Sequence, residues 1–293
     1  MKILLVGSQG QVGQELQRTL PHQGQVVSLS RTELDLSQPG RIADVVSQIR
    51  PDVVVNAAAY TAVDRAETEA SLAYCLNETA PSLLASAAKQ YGAGMIHLST
   101  DYVFDGSKNT PYTELDPTAP LGIYGQSKWA GEVAVQRASC QALVLRTAWV
   151  YGAAPSAKNF VKTMLRLGTE RDQIKVVADQ VGSPTWAHDI ALAVSALVPH
   201  VLSGSTGIYH FTNSGVASWF DFAIAIFEEA HSLGLIQTLP TVLPIATSEY
   251  PLPAKRPAYS VLSSDKITAL LGQRPPYWRH SLRKMLMELT QQT

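Results

Sequence analysis

Tyr124 and Lys128 stand four residues apart in the run Tyr124-Gly125-Gln126-Ser127-Lys128. On an α-helix that spacing puts both side chains on one face, about 5 to 6 Å apart. A phenol with a pKa near 10 is a poor proton donor or acceptor at neutral pH, and an adjacent ammonium stabilises the phenolate and brings it toward the working range. The same Lys can hold the ribose of a nicotinamide. Thr100, in Ser99-Thr100-Asp101-Tyr102-Val103-Phe104, closes an apolar run and offers a hydroxyl to the oxygen of a carbonyl under reduction. The three groups together suit reduction of a carbonyl.

Such a site needs a hydride source, and the N-terminus supplies a binding loop for one. Gly7-Ser8-Gln9-Gly10-Gln11-Val12-Gly13 is a G-x-x-G-x-x-G directly after the apolar run Ile3–Val6 and before an amphipathic stretch. One glycine allows the tight turn, another lets backbone amides approach a pyrophosphate, and the last permits close packing of helix on strand. An NAD site usually carries an acidic residue about 20 positions on, at the end of the second strand. Ser30-Arg31 stands there instead, and a hydroxyl beside a guanidinium suits a 2′-phosphate, which predicts an NADPH preference over NADH. The alternative is a solvated Arg31, with Asp35 serving the adenosine end under either cofactor.

The elements that must position these groups are legible in the first half. Ile3–Val6, Val26–Leu29, Val53–Val55, Met95–Leu98 and Leu143–Leu145 read as strands covered on both faces. Gln11–Leu20, Arg41–Ile49, Ser71–Tyr91 and about Leu121–Ala138 read as the crossover helices between them. This alternation predicts an α/β fold, a Rossmann-type doubly wound parallel sheet over residues 1–150. Past residue 150 prolines multiply and strands such as Ile174–Val177 and Tyr209–Phe211 are more widely spaced, so 151–293 reads as mostly a smaller, irregular α/β domain for the substrate. Helix 187–198 is expected to pack on the first sheet. Helices at Trp219–Leu233, opened by Ser218 and Asp221 in capping-box spacing, and at Arg279–Leu289 complete the reading.

Composition narrows the class. The chain has 293 residues, 46% of them hydrophobic and 16% charged, with a net charge of −1, which excludes disorder and fibrous folds. Without basic runs there is no electrostatic footprint for nucleic acid or an anionic membrane, so neither is expected as a partner. Two cysteines, Cys75 and Cys140, are too few for a disulfide framework and lack the paired spacing of a zinc site, which suits the cytoplasm. Both read as buried, inert thiols, and His97 reads as a satisfied core histidine. Asp64, Arg65, Glu67 and Glu69 read as a solvated helix start, with a homodimer contact as the alternative.

The joint pattern of glycine loop, strand-end Ser-Thr and Tyr-x-x-x-Lys resembles the extended short-chain dehydrogenase/reductase family. Further runs, Asn56 to Glu67 (NAAAYTAVDRAE), Ser99 to Gly106 (STDYVFDG), Tyr124 to Glu132 (YGQSKWAGE), Arg146 to Gly152 (RTAWVYG) and Asp179 to Thr185 (DQVGSPT), resemble its dTDP-4-dehydrorhamnose reductase branch over roughly residues 1 to 260. The resemblance implies reduction, by NADPH or NADH, of the C4 keto group of dTDP-4-dehydro-β-L-rhamnose to dTDP-L-rhamnose. It makes Tyr124 the proton donor, Lys128 its tuning and ribose-binding partner, and Thr100 the polariser of the carbonyl. It places Gly10, Gln11 and Val12 on the pyrophosphate and Asp35 and Leu36 at the adenosine. Ala57, Ala58, Ala59, Tyr60, Thr61 and Leu98 fall beside the cofactor. Thr100, Asp101 and Trp149 fall at the sugar, and Arg256, in Arg256-Pro257, near the nucleotide tail. Trp149 as a core aromatic is the alternative reading. The family's acidic residue at the end of strand two is replaced by Ser30. Some relatives hold Mg²⁺ at a dimer contact through glutamates. Here Glu15 is present but His188 stands near where a second carboxylate is expected, which disfavours a hard cation and leaves no metal in the expected site. Two rivals remain at this stage: a nucleotide-sugar epimerase, and a non-catalytic regulatory subunit like the methionine adenosyltransferase β subunit. Thr100 is followed by Asp101-Tyr102 rather than the Asp-Glu pair of a dehydratase, and the intact Thr100, Tyr124 and Lys128 set favours catalysis.

Overall fold

A computed structural model of the chain describes residues 1–138, 141–155 and 158–291; Cys140 lies outside the described residues. The first half runs β1 (Lys2–Val6), α1 (Gln11–Thr19), β2 (Gln25–Leu29), α2 (Ile42–Ile49), β3 (Val53–Asn56), the short helices α3 (Val63–Ala66) and α4 (Ala70–Tyr74), α5 (Ala80–Gln90), β4 (Gly94–Thr100), α6 (Ile123–Arg137) and β5 (Ala142–Thr147). The second half runs β6 (Val150–Tyr151), α7 (Phe160–Glu170), β7 (Gln173–Val177), β8 (Val181–Gly182), β9 (Thr185–Trp186), α8 (Ala187–Leu202), β10 (Gly207–His210), β11 (Ala217–Ser218), α9 (Trp219–Ser232), β12 (Thr241–Ile245), α10 (Asp265–Leu271) and α11 (Trp278–Thr290).

Six strands form one parallel sheet in the order β10-β5-β4-β3-β1-β2. Alternation along β1 shows why its run is apolar throughout. Ile3 and Leu5 pack with α1 and α8, whereas Leu4 and Val6 pack with Ile42 and Val46 of α2 and Leu84 and Ala88 of α5. The strand order reverses between β1 and β3, and ligands of open α/β sheets bind at that switch point, beyond the carboxyl ends of the strands. The sixth strand, β10, comes from beyond residue 150 and pairs with β5, extending the five-stranded sequence reading.

The rest of the second half has its own core, in which α7, α9 and α11 bring together Val161, Met164, Phe222, Phe227, Trp278, Leu282 and Met285. The capping box opening α9 is formed: Ser218 Oγ accepts from the Asp221 amide at 3.0 Å, and Asp221 accepts from the Ser218 amide at 2.9 Å.

One helix departs from the sequence reading. The stretch predicted as a single helix over Ser71–Tyr91 is α4 and α5 joined by a π-helical turn at Cys75–Thr79. Its cause is packing against α6. A Cβ on Gly131 would lie 1.9 Å from the Asn77 carbonyl oxygen, so α6 and this turn touch backbone to backbone. π-turns of this kind mark functional sites more often than chance.

Candidate active site

The glycine loop is held by close contacts that leave its amides outward. Gly7 has φ +81°, and a Cβ there would stand 2.5 Å from the Ala58 amide nitrogen; a Cβ on Gly13 would stand 2.1 Å from the Gly7 carbonyl oxygen. α1 therefore packs tightly on the β1–α1 turn, and the Ala57–Ala58 segment after β3 closes its other side. Gly10 caps α1 without a side-chain hydrogen bond, and the first turn contains no acidic residue. Open N–H groups at the positive end of a helix fit a pyrophosphate. Next to Val12, Gln11 turns its side-chain oxygen to the Asn159 amide at 2.8 Å, and Asn159 also bonds the Gly152 carbonyl at 2.9 Å while capping α7.

At the end of β2 lies a polar cavity of about 570 Å³ lined by Ser8, Gln9, Gln14, Gln17, Ser28, Ser30 and Glu33. Ser30 borders it, but its amide and hydroxyl are both bonded to Glu33 at 2.7 Å. Those bonds hold the Glu33 carboxyl below its usual range. The acidic group that the sequence lacks at position 30 is thus brought back from three residues on, in the Ser-x-x-Glu spacing of a capping box. Arg31 is 78% exposed and lies 3.6 Å from Asp35, whose carboxylate accepts from the Ser37 amide and hydroxyl. Leu36 is buried behind it.

Thr100, Tyr124 and Lys128 converge at the carboxyl end of β4. Thr100 is buried, and its hydroxyl donates to Asp101 at 3.0 Å and accepts from the Tyr102 amide at 3.2 Å, beside the Tyr124 phenol. The Tyr124 ring meets Tyr102 edge to face at 5.4 Å. Lys128 is 2% exposed and donates to the Leu98 carbonyl at 2.6 Å. Burial lowers Lys128 to about 8 and pushes Tyr124 up to about 12. The sequence reading, in which the ammonium draws the phenol down, is corrected here. One Lys128 N–H is bonded to Leu98, and desolvation of the phenol dominates its shift, with the Asp101 charge acting in the same direction.

Asp101 is 2% exposed, and burial raises its carboxyl from the ordinary 3.8 to about 6. Asp101 therefore takes up a proton on folding between about pH 4 and 6, and its own contribution to stability falls as pH rises through that window, by about 3 kcal/mol in all, against the opposite trend of carboxylates held low such as Asp116. Asp101→Asn is expected to abolish this slope and to unfold at higher temperature than wild type at pH 7, with little difference at pH 4, as read by thermal denaturation across that range.

Residues absent from the sequence reading set the position of α6. Asn77, fully buried in the π-turn, accepts from the Tyr60 amide at 2.8 Å, donates to the Tyr60 carbonyl at 3.1 Å and donates to Ser127 Oγ at 3.0 Å; Ser127 in turn donates to the Tyr124 carbonyl. The segment Ala59-Tyr60-Thr61 is thereby tied to the helix carrying Tyr124 and Lys128. Of the charged cluster after it, Arg65 is solvated as a helix start would be, but Asp64, Glu67 and Glu69 are not. Asp64 holds Arg256 through two bonds of 3.0 and 2.8 Å, Glu67 accepts from the Ile123 amide at 2.9 Å, and Glu69 accepts from the Tyr60 hydroxyl at 2.6 Å. The mixed signs are explained by partners that only the fold brings near. Arg256 thus closes on α3 from the second half, and a Cβ on Gly106 would meet Pro257 at 2.7 Å.

Behind the site, Glu132, one turn beyond Lys128, makes a two-point pair with Arg146 at 2.9 and 2.6 Å and accepts from Ser99. His210 Nε2 lies 3.3 Å from Arg146, and burial drops His210 to about 3. His97 is buried with Nδ1 on Asn56, but its Nε2 has no partner among the described residues, so it is half satisfied. Cys75 is a half-buried free thiol.

Trp149 sits just past β5 with φ +47°, a left-handed conformation rare for an aromatic residue, and stacks on Trp219 at 3.5 Å with the rings 1° from parallel. Glu15 accepts from Arg18 at 3.0 Å and lies 3.0 Å from His188 Nδ1, a donor set already taken by nitrogen groups that does not fit a hard dication. Among the described residues no group of three or more His, Cys, Asp or Glu could hold a metal, and no helix is long and apolar enough to cross a membrane.

The family model described as RmlD substrate binding domain matches residues 1–291. A dTDP-4-dehydrorhamnose reductase of Burkholderia thailandensis is 46% identical, with 100% of each chain covered. Among solved structures, a dTDP-4-dehydrorhamnose reductase of Bacillus anthracis in complex with NADP has a TM-score of 0.90 at 38% identity, covering 98% of this chain and 99% of that one. The UDP-glucose 4-epimerase of Thermus thermophilus, in complex with NAD, has a TM-score of 0.81 at 21% identity and covers 99% of each chain, a likeness of fold alone.

Proposed function

The chain belongs to the RmlD substrate binding domain family, and from that premise we propose that it reduces the C4 keto group of dTDP-4-dehydro-β-L-rhamnose to dTDP-L-rhamnose with NADPH or NADH. The observation that carries this reading is the convergence of Thr100, Tyr124 and Lys128 at the end of β4, on a chain whose close relatives are dTDP-4-dehydrorhamnose reductases. Those relatives favour a reductase over an epimerase or a regulatory subunit.

When bound, the nicotinamide supplies the hydride. The chain's own part follows from its geometry. Amides at the open end of α1, beside Gly10, Gln11 and Val12, bind the pyrophosphate, and Asp35 and Leu36 border the adenosine. Ala57 to Thr61 and Leu98 flank the nicotinamide half, with Lys128 holding its ribose. Thr100 donates toward the carbonyl oxygen, and Tyr124 passes its phenolic proton to that oxygen as negative charge builds there. Asp101 and Trp149 contact the sugar, and Arg256 meets the diphosphate after leaving Asp64, since a guanidinium that grips a carboxylate in two places grips a phosphate in the same way. In this reading residues 1–150, together with α8 and β10, hold the cofactor, and most of 151–293 holds the sugar nucleotide. The reaction suits a cytoplasmic protein.

The test is stoichiometric loss of NADPH absorbance with the purified 4-keto sugar nucleotide as the only acceptor, with dTDP-L-rhamnose identified as the product. Protein that binds NADPH yet leaves it unconsumed would overturn the reductase reading.

We further propose an NADPH preference through Arg31, which is free to leave the exposed Asp35 pair for a 2′-phosphate. Arg31→Ala is expected to raise KM for NADPH about tenfold, worth about 1.4 kcal/mol, and to leave KM for NADH within twofold. Glu33→Gln should move the NADPH value the other way, because it removes a negative charge from the cavity wall. Equal changes with the two cofactors would assign Arg31 to the solvated loop.

A further inference from the structure

α6 begins at Ile123, with Tyr124 as its second residue, and its N-cap is Gly122, which has no side chain to accept a hydrogen bond. The first turn of a helix leaves amides without intrahelical partners, and a side-chain acceptor is what normally satisfies one of them. Here the acceptor arrives from another helix. Glu67, immediately after α3, places Oε1 2.9 Å from the Ile123 amide, and a Cβ on Gly122 would lie 2.6 Å from that same oxygen. Glycine at 122 is thus the residue that lets the carboxylate in. From its other side the turn is fixed by the Tyr102 carbonyl oxygen, which a Cβ on Gly125 would approach to 2.2 Å. Ala66, next to Glu67, is fully buried in a cluster with Tyr60, Ile123 and Tyr124, so α3 has little freedom to move independently of α6. The same α3 carries Asp64, the partner of Arg256.

We propose that Glu67 is a positioning residue of the reductase site: it caps α6 from outside the helix and so fixes the place of the Tyr124 phenol over the substrate carbonyl. The catalytic half of this statement rests on the reductase reading; the capping half does not. A carboxylate also complements the positive end of the α6 dipole, which strengthens the cap.

Four variants test it: Glu67→Ala, Glu67→Gln, Gly122→Ser, and Gly122→Ser combined with Glu67→Ala. Glu67→Ala should lower kcat about tenfold while the dissociation constant for NADPH, read by fluorescence titration, stays within twofold. Glu67→Gln keeps an acceptor oxygen and should retain most of kcat. Gly122→Ser should lower Tm in the wild-type background, where its Cβ meets Glu67. In the Glu67→Ala background it should raise Tm and recover part of kcat, because a serine at the N-cap accepts from the Tyr124 or Gly125 amide and so restores a cap to the same turn, though not to the Ile123 amide itself. A wild-type kcat in Glu67→Ala, or the same sign of Gly122→Ser on Tm in both backgrounds, would overturn the proposal. Wild-type protein inactive on the sugar nucleotide would overturn the reductase reading and the catalytic role of Glu67 with it, while the reversal of sign in Tm, which needs no substrate, would still report the cap.

Discussion

Tyr124→Phe is expected to lower kcat by about 10² to 10⁴ and to leave NADPH affinity unchanged. The ring is retained, so its edge-to-face contact with Tyr102 and the packing of the first turn of α6 survive, and only the hydroxyl beside Thr100 is lost. The direction of the phenol's shift agrees with this role. A group pushed up to about 12 stays protonated through the physiological range, which is the state a proton donor to a nascent alkoxide must hold before hydride arrives. The basic limb of the kcat profile therefore belongs to Lys128, which burial places at about 8, and not to Tyr124. Steady-state rates from pH 6 to 10, alongside cofactor titration of the variant, separate the two. A loss smaller than fivefold in Tyr124→Phe would move the proton donor to another group.

Glu132→Ala is expected to be the most damaging substitution outside the reacting groups. Arg146 and Glu132 are each 2% exposed and paired in two places, and taking one partner away leaves a guanidinium in the interior without a counter-charge. Breaking a buried pair this way costs about 3–5 kcal/mol, and for a chain of this size that corresponds to a fall in Tm on the order of 10 °C. His210, neutral through burial and cationic if protonated, cannot supply the lost negative charge. The effect should also reach the site, because Glu132 supports the charged form of Lys128. In a variant with enough folded protein to assay, such as Glu132→Gln, the basic limb should move below pH 8. A Tm unchanged from wild type would mean that water reaches Arg146.

The sheet and its glycine loop were legible because their signals are local. Runs such as Ile3–Val6 are apolar on both faces, the loop follows the strand directly, and Tyr124 and Lys128 share a helix face by spacing alone. What was not legible depends on which loops meet. Nothing in the helical period of Ser71–Tyr91 announces the π-turn, which arises because Gly131 lets α6 come within contact of Asn77. Glu67 and Asp64 look like solvent-facing charges until Ile123 and Arg256 arrive from 56 and 192 residues away. Ser30 looked like a replacement for an acidic residue, but the chain returns Glu33 to the same place through a turn, a relation that strand-end spacing does not encode. The phenol's shift was misjudged for a related reason: sequence supplies the neighbour but not the depth of burial, and burial dominates here.

The parallel indoles of Trp149 and Trp219 also have an optical consequence. Two indoles 3.5 Å apart and locked within 1° of parallel couple through their transition dipoles, so the pair should perturb the near-ultraviolet circular dichroism of the protein and lower its tryptophan emission. One ring follows β5 of the large sheet and the other opens α9 of the second half, so the signal is a gauge of how the two halves are seated on each other, built into the chain without any label.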